Sequence, residues 1–232
     1  MQALKNLCIV AALSASLAAC APQTAAIDPN FNLGDAKVKL LAYEKSGHYM
    51  ADVGRADSTA LDYIRATAPT VKKPAILLDI DETSLSNWPE LAVNNLAFKL
   101  EGPCDDLKKG PCGLTPWQQR AEARGIAPTV QLANEAQKLG VTVFFLTGRD
   151  ETVRQATEKN LAAAGYRDWK ELILRPAHSK TPSAADYKAP QRARIEKMGY
   201  TIIANLGDQP SDLTGGHALR SFLLPNPFYR IP

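Results

Sequence analysis

Histidine and cysteine are scarce in this sequence, three and four among 232 residues. His48, His178 and His217 show no ligand spacing, which argues for packing or surface roles and against a histidine-built metal centre. Long hydrophobic runs are missing too: the apolar stretch from Leu7 to Leu17 falls well short of the ~20 residues that span a bilayer as a helix. Charge of one sign never accumulates in a block. The 27 Lys and Arg and the 24 Asp and Glu are interspersed, and a net charge of +3 is too mild to suggest a nucleic-acid polymer as partner. What remains is an ordinary globular composition, 45% hydrophobic and 22% charged, on a chain long enough to bury one substantial core.

The first twenty residues read as an export signal. A short positive region ends at Lys5, the apolar stretch follows, and the small residues Ala18 and Ala19 close it. The ending Leu17-Ala18-Ala19-Cys20 resembles the bacterial lipoprotein signal. That resemblance implies a signal peptide over 1–19, lipid on Cys20, and attachment to membranes through the acyl anchor alone. Pro22 rather than Asp stands two positions after the cysteine, so the same resemblance points to the outer membrane facing the periplasm, or to the cell surface. Residues 20–33 are small and polar, as suits a tether. Cys8 leaves with the signal, so Cys104 and Cys112 remain as a pair within GPCDDLKKGPCG. In an exported protein such a pair invites a disulfide, whose loop closure contributes roughly 2.5 kcal/mol. A zinc site competes with that reading, but two thiolates with no further Cys or His nearby make a poor cage.

From Asp35 to about Thr67, apolar residues at mixed helical spacing predict one or two helices, ended by Pro69 and Pro74. Four short apolar runs follow, each leading into a polar turn: Ala75 to Leu78, Val141 to Leu146, Leu172 to Leu174 and Thr201 to Leu206. They read as buried parallel strands, with a further edge strand around Ser221 to Leu224. Helical patterns over Thr129 to Leu139, Glu151 to Ala164 and Ala184 to Met198 each stop at a glycine. Alternating helix and strand predict an α/β fold, a doubly wound parallel sheet, over 34–232. The stretch 86–127 breaks the rhythm and reads as an insertion after the first strand. With the N-terminal helices it is expected to form a small, mainly helical cap over the carboxyl ends of the strands, where ligands sit in such folds.

Asp79 ends the first strand in AILLDIDETS, with Asp81 on the same face of an extended chain and Thr83 beyond. Two carboxylates held together repel unless a cation or a proton intervenes, and a divalent metal resolves the conflict. Three other strand ends or helix starts carry complementary groups: Thr147 in FFLTGRD, Lys188 in ADYKAPQR, and Asp208 with Asp212 in NLGDQPSDL. Taken singly, each has a plain alternative as a helix cap or a solvated charge. Together and in order, they resemble the four motifs of the haloacid dehalogenase superfamily. More narrowly they resemble its subfamily IIIB acid phosphatases, the branch of secreted bacterial acid phosphatases and plant vegetative storage proteins.

This resemblance implies Asp79 as the nucleophile that becomes an aspartyl-phosphate, and Asp81 as general acid and then base. It implies Thr147, Gly148 and Lys188 around the phosphate, and Mg2+ bound by Asp79, the Asp81 main-chain carbonyl and Asp208, with Asp212 acting from behind the ligands. The expected substrate is a small phosphate monoester, nucleoside monophosphates among the plausible ones. Trp88 is a candidate for stacking on an aromatic leaving group, Arg149 for pairing with a carboxylate near the site. Two alternatives stay open: a non-catalytic binding or storage lipoprotein on the same fold, and a phosphotransferase to an alcohol acceptor. The apolar, Pro-rich ending FLLPNPFYRIP is expected to pack along the domain edge and carries no assigned chemistry.

Overall fold

Strand β1 (Pro74–Leu78) is apolar throughout because helices cover both of its faces, and Ala75, Ile76, Leu77 and Leu78 are at most 1% exposed. It is the centre of a five-stranded parallel sheet. The computed structural model describes residues 28–231 apart from 178, 180 and 182. The signal-like segment 1–19, Cys20 and His178 therefore lie outside the described residues.

Beside β1 run β4 (Thr142–Asp150) on one side and β6 (Thr201–Gly207) on the other, with β5 (Glu171–Arg175) and β7 (Arg220–Leu223) at the edges. The order β5-β4-β1-β6-β7 reverses direction between β1 and β6, and in open α/β sheets the ligand crevice lies at that switch point. Strand β4 runs four residues beyond the expected Leu146. Its ladder with β5 breaks after Leu146 and resumes at Asp150 opposite Arg175, so the Thr147–Arg149 segment bulges out of the sheet and returns.

Alternation along the strands sorts the core into two layers. Ile76, Leu78, Val143 and Phe145 face helices α2 (His48–Thr67), α5 (Ala127–Lys138) and α6 (Arg154–Ala163), while Ala75, Leu77, Phe144 and Leu146 face α7 (Ala184–Lys197) through Tyr187 and Ile195. The chain leaves α5 and α7 through Gly140 and Gly199 at φ +75° and +86°, a left-handed conformation that only glycine adopts without strain.

The N-terminal helices are α1 (Leu33–Lys45) and α2, and they do not act together. On α2 the buried positions 53, 57, 60, 61 and 64 recur at helical spacing and form one stripe. Ala60, Leu61 and Ile64 of that stripe join the core against the sheet, so most of α2 is a sheet-covering helix rather than cap. Only its first turns, with Tyr49 and Val53, pack with Leu91, Leu96 and Ile126 of the insertion, joined there by Leu40 and Tyr43 of α1.

The insertion itself holds α3 (Trp88–Val93) and α4 (Leu114–Arg120). A two-stranded antiparallel ladder, β2 (Leu85–Ser86) with β3 (Arg124–Gly125), closes its base. A disulfide joins Cys104 to Cys112, and both residues are buried in the core beside Leu114 and Trp117.

Candidate active site

Both motif carboxylates stand where the sheet switches direction. Asp79 directly follows β1, and Asp208 directly follows β6, the neighbouring strand. Helix α8 (Pro210–Leu213) then turns back so tightly that a Cβ on Gly207 would sit 2.5 Å from the Asp212 Cβ, which only glycine avoids. Arg192, fully buried on α7, donates to the carbonyl oxygens of Asp212 and Gly216 at 2.7 Å each, and to that of Thr214. It thereby satisfies carbonyls that the short helix leaves open and fixes α8 against α7.

One turn before Arg192, Lys188 is buried between two acids. Its Nζ lies 2.5 Å from Asp79 Oδ1 and 2.6 Å from Asp212 Oδ1. Burial disfavours the ammonium, but Asp212 and Asp79 outweigh it and hold the pKa above that of an ordinary lysine. Carboxylate oxygens of Asp79, Asp208 and Asp212 come within 4.8 Å of one another. For Asp79, burial and then repulsion by Asp212, Asp208 and Asp81 raise the pKa well above the usual carboxylate range despite Lys188. Burial and Asp212 push Asp208 up to about 7. A group of buried acids with one ammonium among them is short of positive charge, so the donor set suits a hard divalent cation.

The hydrogen bonds show which oxygens are free for it. Both oxygens of Asp212 are engaged, Oδ1 by Lys188 and Oδ2 by the Gln209 amide at 2.9 Å. Asp208 Oδ2 accepts from two side-chain amides, Gln209 Nε2 at 2.5 Å and Asn226 Nδ2 at 2.7 Å, whereas among the described residues Oδ1 has only the Thr83 hydroxyl at 3.3 Å. The oxygens left for a cation are thus Asp208 Oδ1 and the second oxygen of Asp79.

Asp81 faces a different partner. Arg149 grips it with Nη2 at 2.7 Å and Nε at 3.1 Å from Oδ1, and Asn87 Nδ2 adds 2.8 Å. Burial alone would raise this carboxyl, but the Arg149 charge and these hydrogen bonds outweigh it and lower its pKa. Asn87 is oriented in turn by Trp117, whose indole N–H donates to it at 2.9 Å. Glu82, just after Asp81, has φ +52° and is buried; it accepts from the Asn87 amide at 2.6 Å and from the Tyr229 hydroxyl at 2.5 Å. Burial and then Asp81 push Glu82 up to about 7.

Asp79, Asp81, Lys188, Asp208 and Asp212 all line one cavity of about 390 Å³. Gly148 lines it too, with open space where its Cβ would be. Thr147 is fully buried, its hydroxyl oxygen accepting from the Arg149 amide at 3.1 Å and its proton left to donate. The insertion supplies Phe98, Leu100, Glu101, Leu114, Thr115 and Gln118 as the opposite wall.

Trp88 is not among the lining residues. Its ring packs on Phe228, with centroids 5.2 Å apart, and the aromatic wall comes instead from Phe98 and Tyr229, 4.9 Å apart. The C-terminal segment is therefore part of the site: Asn226 holds Asp208, Tyr229 reaches Glu82, and the Ile231 amide donates to Gln209 Oε1 at 3.0 Å. Sequence reasoning passed over Glu82, Asn87, Gln209, Asn226 and Tyr229. Their one visible signal is polar residues set in otherwise apolar or Pro-rich surroundings, as in LLPNPFYRIP.

A doubly wound α/β sheet thus carries, at its switch point, a group of acids bridged by a buried lysine. The chain belongs to subfamily IIIB, the acid phosphatases, of the HAD superfamily, whose family model matches residues 5–232. It is 38% identical over 156 residues to acid phosphatase 1 of Solanum lycopersicum, covering 67% of this chain and 58% of that protein. It is 39% identical over 157 residues to a stem 31 kDa glycoprotein of Glycine max, covering 67% of this chain and 59% of that one. Vegetative storage protein 1 of Arabidopsis thaliana is 32% identical over 157 residues, 67% of this chain and 55% of its own length. The chain thus spans about three fifths of the length of these curated relatives. Among solved structures, the class C acid phosphatase from Bacillus anthracis with tungstate bound superposes with a TM-score of 0.66 at 23% identity, over 85% of this chain and 86% of that one, and so shares the fold.

Proposed function

We propose that this chain hydrolyses phosphate monoesters through a covalent aspartyl-phosphate on Asp79, with magnesium as cofactor. The observation that carries the reading is Lys188, a buried cation 2.5 Å from Asp79 and 2.6 Å from Asp212 on the floor of the cavity. Such a charge neutralises phosphoryl oxygens as they approach the carboxylate. An Asp79 oxygen attacks phosphorus, the bond from phosphorus to the ester oxygen breaks, and the leaving oxygen takes a proton from Asp81. Water then attacks the phosphorus of the acyl phosphate and gives a proton to Asp81, while the bond from phosphorus to the Asp79 oxygen breaks, releasing inorganic phosphate and restoring the Asp79 carboxylate. Magnesium held by Asp79, Asp208 and the Asp81 main-chain carbonyl would offset negative charge on the transferring group. Around the alcohol portion, the tilted rings of Phe98 and Tyr229 favour an alcohol that carries an aromatic ring, such as the nucleoside of a nucleoside monophosphate.

Turnover of p-nitrophenyl phosphate by residues 21–232, with magnesium or after thorough chelation, tests the reading. Undiminished turnover after chelation removes the magnesium assignment, and no turnover under any condition favours a storage or binding role. Phosphate appearing on an added alcohol in preference to water would make the protein a phosphotransferase.

Arg149 sets the pH dependence in this scheme. Asp81 has to gain a proton against the Arg149 guanidinium, which favours acidic pH. Replacing Arg149 with Gln removes the charge that lowers the Asp81 pKa and leaves burial to raise it. The alkaline limb of the kcat/KM profile is expected to move to higher pH, and an unmoved limb would take Asp81 out of the acid role.

Asn226 bears on the cation. In Asn226→Ala, Asp208 Oδ2 loses one of its two amide donors, and outer partners of this kind are worth ~10–100-fold in metal affinity. The dissociation constant for Mg2+, read by titration calorimetry, is expected to rise about tenfold at least, while turnover at saturating magnesium changes little. Unchanged affinity would show that Asn226 is not needed to orient Asp208, with Gln209 sufficing on Oδ2.

We also infer an exported lipoprotein from residues 1–20, which lie outside the described residues; no described helix is long and apolar enough to cross a membrane. Cys20→Ser should release the protein from membranes, and retention through an unchanged anchor would place the lipid elsewhere.

A further inference from the structure

Among the described residues three cations line the cavity, and two are committed. Arg149 is paired with Asp81, and Lys188 with Asp79 and Asp212. The third, Arg175, stands at the carboxyl end of β5 and forms no ion pair with any carboxylate among the described residues. Its Nη2 donates to the Thr181 main-chain carbonyl, and its Nε is buried with no hydrogen-bond partner among the described residues. Asp150, opposite Arg175 in the strand register, turns one carboxylate oxygen to the Thr152 amide at 2.9 Å.

A buried N–H left unsatisfied is costly and rare in native proteins. Arg175 as a whole is only half-buried and lines the cavity, so it is the rest of the guanidinium that meets a ligand there. A guanidinium is moreover the side chain best shaped to take a carboxylate or a phosphate through paired N–H groups. Its position separates it from the reacting phosphoryl group. With β4 between β1 and β5 and strands roughly 4.8 Å apart, Arg175 arises about 10 Å from the strand that carries Asp79. The apolar wall of Phe98, Leu100, Leu114, Tyr229 and Ile231 lines the same cavity and would cover whatever bridges the two.

We propose that Arg175 is a specificity residue that binds a second anionic group, a carboxylate or a phosphate, on the alcohol portion of the substrate. The substrate class is then phosphate monoesters whose alcohol is itself anionic. This rests on the phosphatase reading, but its test is separable from it.

Two substrate pairs distinguish the sources of the second charge: phenyl phosphate against 4-carboxyphenyl phosphate, and adenosine 5′-monophosphate against adenosine 3′,5′-bisphosphate. Arg175→Gln is expected to lower kcat/KM for the doubly anionic member of at least one pair by ~10–100-fold, mainly through KM, with phenyl phosphate within about twofold. Arg175→Lys, which keeps the charge but not the fork, should recover part of the loss, and this separates charge recognition from a damaged fold. Equal losses on both members of each pair would overturn the proposal in favour of a role toward the transferred phosphoryl group or the fold. No loss on any would overturn it outright. Should the wild-type chain turn over none of these esters, the phosphatase reading fails, and calorimetric binding of the same pairs to the wild type and to Arg175→Gln decides the present one. A wild-type preference for the doubly anionic member that Arg175→Gln abolishes would uphold it; equal wild-type affinities within each pair, or a preference that survives the substitution, would overturn it.

Discussion

Asp79→Asn is expected to lower the turnover of p-nitrophenyl phosphate by about 10⁴-fold or more, the scale seen when a covalent nucleophile is removed. The substitution keeps the shape of the side chain and removes its negative charge and attacking oxygen. Folding should survive, because the buried group carries too many acids for its positive charge: burial and the neighbouring Asp212, Asp208 and Asp81 already raise the Asp79 pKa despite Lys188. Removing one carboxylate relieves that repulsion, so thermal stability in chelator at neutral pH should equal or exceed that of the wild type. Turnover within tenfold of the wild type would end the nucleophile assignment. A collapse in stability with the loss of activity would instead show that the Asp79–Lys188 pair holds the fold.

Lys188→Met should produce the second largest effect, on both stability and rate. The residue is 3% exposed, and its ammonium is the cation in direct contact with Asp79 and Asp212. Removing one partner of a buried ion pair costs about 3–5 kcal/mol, because the other charge is left without compensation. Turnover should fall by about 10²–10³-fold, as when a charge-stabilising donor is lost.

The pH dependence has a definite sign. Asp208 has its folded-state pKa raised to about 7, against about 3.9 for an unfolded Asp. Between those values the folded protein binds a proton that the unfolded chain has released, so the metal-free protein loses stability as pH rises from about 4 to about 7. Without Lys188 more carboxylates follow the same course. The melting temperature of Lys188→Met should therefore lie close to that of the wild type near pH 4 and fall progressively below it toward pH 8, with magnesium restoring part of the difference. A deficit of constant size across that range would mean that lost packing, not charge, explains the variant.

The elements legible in the sequence were those whose burial is two-sided. Strands β1, β4, β5 and β6 sit between helices, so their apolar runs are continuous, and the glycines that end α5 and α7 mark helix stops that any reading of backbone chemistry would find. The C-terminal extension of β4 was not legible, because Thr147, Gly148 and Arg149 look like a turn and the strand pairs again only at Asp150. The division of labour between α1 and α2 was hidden for a related reason. Periodicity shows that α2 has a buried stripe, but not whether a sheet or an insertion will cover it.

Of the residues that line the cavity, Asp79, Asp81, Lys188, Asp208 and Asp212 stood out in the sequence through their order along the chain and the four motifs they resemble, since singly each has a plain alternative as a helix cap or a solvated charge. The succession of strands along the chain and the isolated cysteine pair are local features, and local chemistry suffices to read them. Which oxygen faces which donor was decided only by the tertiary structure. Arg149 grips Asp81, 68 positions away; Lys188 reaches Asp79 across 109; and Asn226, from a tail with no evident chemistry, holds Asp208. The cavity wall of Phe98, Tyr229 and Arg175 was decided there too, because side chains from three distant segments become neighbours only once the sheet has wound in both directions from β1 and the tail has returned across its switch point.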